Sequence, residues 1–314
     1  MRQRAWLPLL VLAGGVLIVS TSAIMIRLAQ NTGMPSLTIA AGRMLVAALV
    51  LLPLAWLRVG DELRRLQPCQ IGWGLLSGMF LALHFAAWIS SLAYTSVASS
   101  VALVSTSPLW IALLSFLLFR EKPGAVALGG IVLTVIGSIL IGVNDAAGST
   151  GDYPQATLGN MLAVLGALTV SGYLLIGRNL RRTLSLLAYI WLVYTSAAVI
   201  LLAWVWVQGV PIFGFALIAY LCIIGLAIGP QLLGHTSFNW ALRYLSATFI
   251  AVAVLGEPIG SAVLAWLIFG EGFAPLQLGG FVLVLAGIYF ASQMERPRDP
   301  PPPSETLASS PAEP

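Results

Sequence analysis

Four ionisable residues, Arg43, His84, His235 and Glu257, stand inside long apolar runs of the chain. An ionisable side chain in such a run is costly to bury and is a candidate for function by default. Glu257 lies about 11 residues from either end of the run 246–269, roughly 16 Å at 1.5 Å per residue. Asp61, Asp145, Asp152 and Asp299 read as lying outside the runs, and Glu121 and Glu271 as standing at run ends. Glu257 is then the one carboxylate expected at mid-run depth. A carboxyl group there suits the uptake and release of a coupling proton. Alternatively, a neutral Glu257 bonds locally, because Pro258 frees a backbone carbonyl one turn earlier.

Arg43, in LTIAAGRMLVAALV, is about eight residues, roughly 12 Å, from the nearer run end. Its guanidinium would hold a carboxylate or phosphate bidentately in a cavity, or pair with Glu257, or serve packing alone. His84 and His235 suit a proton relay or a gate, or else a bond from helix to helix. Two histidines with no Cys or carboxylate cluster at ligand spacing make no metal site. Trp88 and Asn239 lie in the runs that hold the histidines and Tyr94 just past the end of the first of these, and all three are expected to line a cavity for an amphipathic or ring-bearing solute. The competing reading puts such aromatics in the interface belt. Ser20, Thr21 and Ser22 give the first run a polar patch, which lines a pore or bonds across helices.

The elements that must position these groups are membrane spans. The 314 residues are 59% hydrophobic and 8% charged, against about 25% charged in soluble domains. The apolar residues concentrate in runs near the ~20 residues that cross a bilayer as a helix. Hydropathy and turn signals predict ten helices: 7–29, 36–57, 70–92, 97–119, 124–143, 158–178, 185–207, 214–241, 246–269 and 274–293. An N-terminal signal peptide is the competing reading of the first. The Pro-rich residues 294–314 have nothing to bury and are expected to be a disordered tail. Cys69 and Cys222 form no spacing motif, so neither a disulfide nor a metal framework is expected. The net charge of +4 is scattered over short loops, which argues against nucleic acid as a partner. No phosphate-cradling loop or Walker-type lysine is present, and the single lysine is Lys122. No cofactor and no direct drive by ATP are expected.

With the N-terminus in the cytoplasm, 13 of the 15 Lys and Arg residues fall on the cytoplasmic side, Arg27 falls outside and Arg43 lies within a span. Cytoplasmic loops are the basic ones, so both termini are expected inside. The chain also repeats itself. Residues 94–137 align with 244–287 without a gap, with 15 of 44 positions identical, among them Pro108/Pro258, Glu121/Glu271 and Gly137/Gly287. At an offset of 151, Gly74 pairs with Gly225, Gly78 with Gly229 and His84 with His235. Ser107 stands where the second copy has Glu257. Five helices is an odd number, so the second copy should be inverted. That explains why FREK at 119–122 returns as FGEG at 269–272: the second loop faces outward and drops its basic residues. The paired glycines read as packing seams. The domains are then 1–143, a first five-helix repeat; 144–157, an external linker; 158–293, a second, inverted repeat; and 294–314, the tail.

The pattern YTSVASSVALVSTSPLWIALLSFLLFREK, and its second copy with Glu257-Pro258 and Phe269-Gly270-Glu271, resemble the drug/metabolite transporter superfamily in its EamA-type branch. Coverage is essentially 7–293. The first copy departs in having Ser107 in place of the glutamate and REK at 120–122. The resemblance implies an all-α basket of ten transmembrane helices with a central cavity, and transport of small metabolites, often export. It names no substrate.

The expectation is therefore a secondary transporter in the plasma membrane, a bacterial inner membrane, moving an amino-acid-like or drug-like solute by alternating access. Its drive is the proton gradient or the substrate gradient alone. The lipid bilayer is its medium, and a homodimer is left open. The alternatives are an integral-membrane enzyme, which needs grouped acids, histidines or cysteines at a membrane face, and a non-transporting sensor or scaffold, which needs no inverted repeat.

Overall fold

In a computed structural model the structure describes residues 7–120, 124–146, 153–235, 237, 254 and 256–292. Among them all regular structure is helical and no strand occurs. Backbone groups in hydrocarbon must be satisfied within their own segment, which favours helices wherever apolar runs are this long. The helices are α1 (Leu7–Ser20), α2 (Ser22–Asn31), α3 (Ser36–Arg64), α4 (Pro68–Ser91), α5 (Val97–Val104), α6 (Ser107–Phe119), α7 (Ala125–Ala146), α8 (Ala156–Leu180), α9 (Leu186–Val207) and α10 (Leu217–Leu226). A π-helix (Ala227–Gly234) follows α10, then α11 (Gly256–Phe269) and α12 (Pro275–Ser292). Among the described residues, eight segments are long and apolar enough to cross a membrane, with α1–α2, α5–α6 and α10 with its π-helix each counting as one. The helices Gly256–Phe269 and Pro275–Phe290 are apolar but shorter. Most of the expected span 246–269 before Gly256, and the tail, lie outside the described residues.

Three spans that hydropathy reads as continuous are interrupted, each for a local reason. In the first, Ser20 Oγ bonds back to Val16 O at 2.8 Å and Thr21 Oγ1 to Ile18 O at 2.6 Å. Such hydroxyl back-bonds compete with the helix ladder and bend it. The fourth breaks at Ser105 and Thr106, just before Pro108, whose ring clashes with the carbonyl four residues back. In the eighth, Pro230 lies inside the π-helix. With no N–H to donate to Leu226, it leaves the wider turn as the way to continue.

Two boundaries differ from expectation. The second span reaches Arg64 with a kink at Val59 (φ −133°, ψ 15°). The fifth reaches Ala146, so Asp145 lies inside a helix and is buried. The reading that puts all four aspartates outside the spans is therefore wrong. Composition places Asp145 with the Gly- and Thr-rich linker, but α7 continues because side chains packed over its end satisfy the polar groups there.

Small residues make the closest seam. A Cβ on Gly137 of α7 would lie 2.6 Å from Gly280 O of α12, and one on Gly287 would lie 2.6 Å from Gly130 O. Adding 150 to Gly137 gives Gly287, and adding 150 to Gly130 gives Gly280. The two contacts are thus one contact with the copies exchanged. Gly74 and Gly78 of α4 sit against Leu192 and Ser196 of α9, leaving no room for a Cβ (2.3 and 2.4 Å). Close backbone approach of this kind drives helix association in a bilayer. Residues at equivalent positions also share a backbone conformation. Arg120 after α6 (φ 56°) and Gly270 after α11 (φ 70°) are both left-handed. This is the helix C-terminal position that glycine fills without strain, and at Arg120 a charged residue occupies it in spite of the Cβ.

At one end of the bundle the loops after α3 and α8 lie side by side. Ser185 N–H donates to Glu62 Oε1 at 2.7 Å, and Gln70 Nε2 donates to Thr183 Oγ1 at 3.3 Å. Arg58, Arg64, Arg65, Arg181 and Arg182 belong to the same two regions. The opposite end carries Arg27, Thr95, Tyr153 and Glu271, which touch one another.

Candidate functional site: a buried arginine where broken helices meet

Arg43 on α3 is 2% exposed, the bulkiest of the fully buried side chains among the described residues. Its Nε and Nη2 donate to Gln231 Oε1 at 3.1 and 2.8 Å, and Nη1 donates to Ser22 Oγ at 3.3 Å. The guanidinium lies over the Phe85 ring, 4.3 Å from its centroid. Each partner owes its place to a feature of the fold. Ser22 opens α2, just past the break in the first span. Gln231 follows Pro230 in the π-helix. Phe85 lies on α4 one residue after His84. Neutral oxygens take three of the five guanidinium N–H groups, so the positive charge is held in place without being neutralised by these contacts.

Glu257, His84 and His235 are all within electrostatic range of that charge. Tyr194 of α9 is close to both the guanidinium and Gln231. The ion pairs among the described residues are Arg27–Glu271 and Arg64–Asp61, so the alternative in which Arg43 pairs with Glu257 is not the one formed. Glu257 is half-buried in the first turn of α11. Ser20 Oγ reaches its backbone oxygen at 3.4 Å, and Ser261 Oγ donates to Ser20 O at 3.0 Å. The interruption of the first span therefore supplies the carbonyl that ties it to α11.

His84 donates from Nδ1 to Gly166 O on α8 at 2.9 Å and stacks on Trp88 with 5.8 Å between centroids. His235, at the end of the π-helix, is exposed. Ser107 opens α6, and its carbonyl accepts a bond from Ser171 Oγ at 3.0 Å. It occupies in α6 the first-turn place that Glu257 occupies in α11, but nothing described brings it to Arg43. Tyr94 is exposed in the turn between α4 and α5, next to Thr95, and nothing described brings it to Arg43 or His84. It follows the end of α4, and three residues beyond Ser91 the chain has left the helix face that carries His84. Asn239 lies outside the described residues.

Sequence reasoning missed a second polar cluster, at the end of the bundle opposite the basic loops. Arg27 Nη1 pairs with Glu271 Oε1 at 3.2 Å, and Nη2 donates to Thr95 O at 2.7 Å. Nη1 also bonds the Tyr153 hydroxyl, which in turn donates to Glu271 Oε1 at 3.0 Å. Glu271 Oε2 accepts from Val97 N–H at 2.8 Å. Burial raises the Tyr153 hydroxyl above the ordinary phenol range, so it remains a protonated donor at neutral pH. This one knot ties together the end of α2, the turn before α5, the linker and the loop after α11. The signal available beforehand was that Arg27 is the lone basic residue on its side of the chain.

Comparison with known proteins accords with this geometry. The model of the EamA-like transporter family matches twice, over residues 6–143 and 157–293. The uncharacterized transporter YxxF of Bacillus subtilis is 27% identical over 269 residues, 82% of each chain. The riboflavin transporter of Vibrio cholerae is 32% identical over 110 residues, 35% of this chain and 36% of its own. A crystal structure at 19% identity superposes with a TM-score of 0.61 and covers 91% of this chain and 96% of the other, a likeness of fold alone. With two family matches spanning nearly all of its apolar segments, the chain is a membrane transporter belonging to the EamA-like transporter family.

Proposed function

We propose that the protein is a secondary transporter that exports a small organic metabolite bearing an acidic group, by alternating access in a ten-helix, five-plus-five inverted repeat. The observation that carries this reading is the convergence of interrupted helices on Arg43. Transporters of inverted-repeat build bind substrate near the midplane, where discontinuous helices present polar groups. Here the break in the first span and the π-helix supply Ser22 and Gln231, and α11 brings Glu257 within range. Two uncommitted guanidinium N–H groups suit one carboxylate. The stacked His84 and Trp88 offer a ring surface beside it. Glu257 is the proton-carrying group in this reading.

The exchanged Gly137–Gly280 and Gly287–Gly130 contacts support the inverted repeat, because an interface that maps onto itself when the copies swap implies a two-fold relation. The gathering of arginines at one end supports cytoplasmic termini in a plasma membrane. Reporter fusions after Ser149 and after Arg182 are expected to signal from outside and from the cytoplasm, respectively. The opposite signal from either one sinks the orientation.

The function is tested with purified protein in liposomes loaded with a small-molecule extract, with the released solutes identified by mass spectrometry. An acidic solute is expected to leave only the protein-bearing vesicles. Riboflavin, the solute in the name of one partial relative, is a ring-bearing probe without a carboxylate and is expected to be the poorer substrate. If no solute moves faster than from empty liposomes, Arg43 does not serve the export of an acidic metabolite and the proposal fails.

A further inference from the structure

At the basic end of the bundle two loops are joined, and each brings a pair of arginines to the join. Ser185 N–H donates to Glu62 Oε1 at 2.7 Å, and Gln70 Nε2 donates to Thr183 Oγ1 at 3.3 Å. Arg64 and Arg65 follow Glu62 closely, and Arg181 and Arg182 immediately precede Thr183. All four arginines are exposed, as is Arg58 on α3. The acids of the same stretch are Asp61 and Glu62. Asp61 stands 3.9 Å from Arg64 with both side chains largely in solvent, a pairing worth little. Glu62 is engaged by the Ser185 amide. Two arginine pairs set side by side repel one another within the ~8 Å reach of charge at physiological salt, and an anion placed between them relieves that repulsion. Orientation in a bilayer accounts for basic loops, but it asks only for charge on each loop and not for hydrogen bonds that bring one pair to the other. Beside the arginines the surface is apolar, with Trp56 and Leu57 of α3 and Trp73 of α4 all exposed. The Arg64 guanidinium lies 5.0 Å from the centroid of the Trp56 ring, so charge and exposed aromatic surface meet at one level.

We propose that this end of the bundle binds an anionic phospholipid carrying two phosphodiester groups, one phosphate held by Arg64 and Arg65 and the other by Arg181 and Arg182. The guanidinium fork matches phosphate oxygens two at a time, and basic surfaces at the ends of membrane helices take headgroups of this kind. Charge complementarity selects a phosphate, and the apolar residues select a lipid as its carrier. Trp56, Leu57 and Trp73 offer surface to acyl chains that a soluble diphosphate leaves uncovered. Two phosphates on one molecule match two arginine pairs on two loops, whereas a lipid with one phosphate satisfies one pair and leaves the other repelled. The loop after α3 belongs to the first half of the chain and the loop after α8 to the second, so the bound lipid reinforces the two hydrogen bonds that join the halves here.

The test uses the full-length protein, purified in detergent and titrated with cardiolipin, phosphatidylglycerol or phosphatidylcholine, with retained lipid counted by native mass spectrometry. One cardiolipin per chain is expected to stay bound, at least tenfold more tightly than either of the other two lipids, and to raise the unfolding temperature. Arg64→Gln/Arg65→Gln and Arg181→Gln/Arg182→Gln are each expected to weaken retention at least tenfold, the scale of two arginines beside a membrane surface. All four positions are exposed, so both variants should unfold at the parent's temperature when lipid is absent. Arg296→Gln/Arg298→Gln removes the same charge from the tail and is expected to leave retention within twofold. Inorganic phosphate and glycerol phosphate in millimolar excess should not displace the lipid; displacement by either means a site for free anions and overturns the proposal. Cardiolipin held no better than phosphatidylcholine overturns it, and equal retention of phosphatidylglycerol overturns the two-phosphate bridge. It is overturned also if the tail variant loses as much affinity as the loop variants, since net charge alone then governs binding. None of these readouts depends on transport, so their failure is separate from failure of the functional reading.

Discussion

Replacing Glu257 with glutamine is expected to abolish proton-driven accumulation of substrate while leaving exchange of labelled for unlabelled substrate largely intact. Glutamine has nearly the volume of the protonated acid but cannot release a proton. If the two charge states of Glu257 favour different orientations of the cavity, fixing one state removes the coupling and spares the binding. Glu257 lies within electrostatic range of Arg43 without pairing to it, so its charge bears directly on how strongly the arginine holds an acidic solute. Glu257→Ala should harm both activities, because it also leaves a void beside α1 and removes a polar group from a buried cluster. The measurement is uptake into liposomes with and without an imposed pH gradient, beside counterflow in the same vesicles. In the glutamine variant the gradient-dependent component should fall to the level seen without a gradient, and counterflow should stay within about threefold of wild type, under 1 kcal/mol on a scale where tenfold is 1.36. A glutamine variant that accumulates substrate normally leaves Glu257 a structural residue at the foot of α11.

The contrast between Glu257 and Asp145 shows which parts of such a chain can be read from sequence. Hydropathy locates spans because the bilayer demands about 20 apolar residues whatever the neighbours are. Self-alignment locates seams, because Gly137 and Gly287 recur where backbones touch. Arg43 and Glu257 are legible because each is charged deep inside a run. Asp145 and Arg27 are not. They stand near helix ends, where composition cannot separate a solvated loop from a covered helix terminus, and only the packing of α5, α8 and α12 decides the matter. The interruptions fall between these cases. Pro108 and Pro230 are visible breakers, yet the apolar run passes through them, so a window average reads one helix. The role of Gln231 depends on a change of helical pitch at Pro230 that no periodicity displays. Tyr94 is a different case: the run 70–92 already ends before it, and the helix ends at Ser91, so its place in the turn was legible in the sequence while its surroundings were not.

The knot at Arg27 is expected to act as a latch on its end of the bundle, and breaking it should expose the space beneath. Both side chains of the ion pair are about nine-tenths buried, and removing one partner of such a pair costs on the order of 3–5 kcal/mol, since the other is left buried and unpaired. The penalty applies only while this end is closed. Once it opens, water solvates the surviving partner. Glu271→Gln and Arg27→Gln should therefore both shift the closed–open balance towards open by tenfold or more. The reporter is a cysteine at Ser99, which is fully buried behind the knot, in a chain whose Cys69 and Cys222 are changed to serine. Its modification by a membrane-impermeant thiol reagent should be at least tenfold faster in either variant than in the parent. The geometry also forecasts that exchanging the charges will not repair the latch. Arg27 donates to Thr95 O, and Glu271 accepts from Val97 N–H. In Arg27→Glu/Glu271→Arg a carboxylate faces the carbonyl and a guanidinium faces the N–H, so the double variant should label as fast as the single ones. Restoration of slow labelling by the exchange would reduce the knot to simple charge attraction. Labelling that is equally slow in all variants would mean that this end is closed by the apolar packing of α2, α5 and α11 alone.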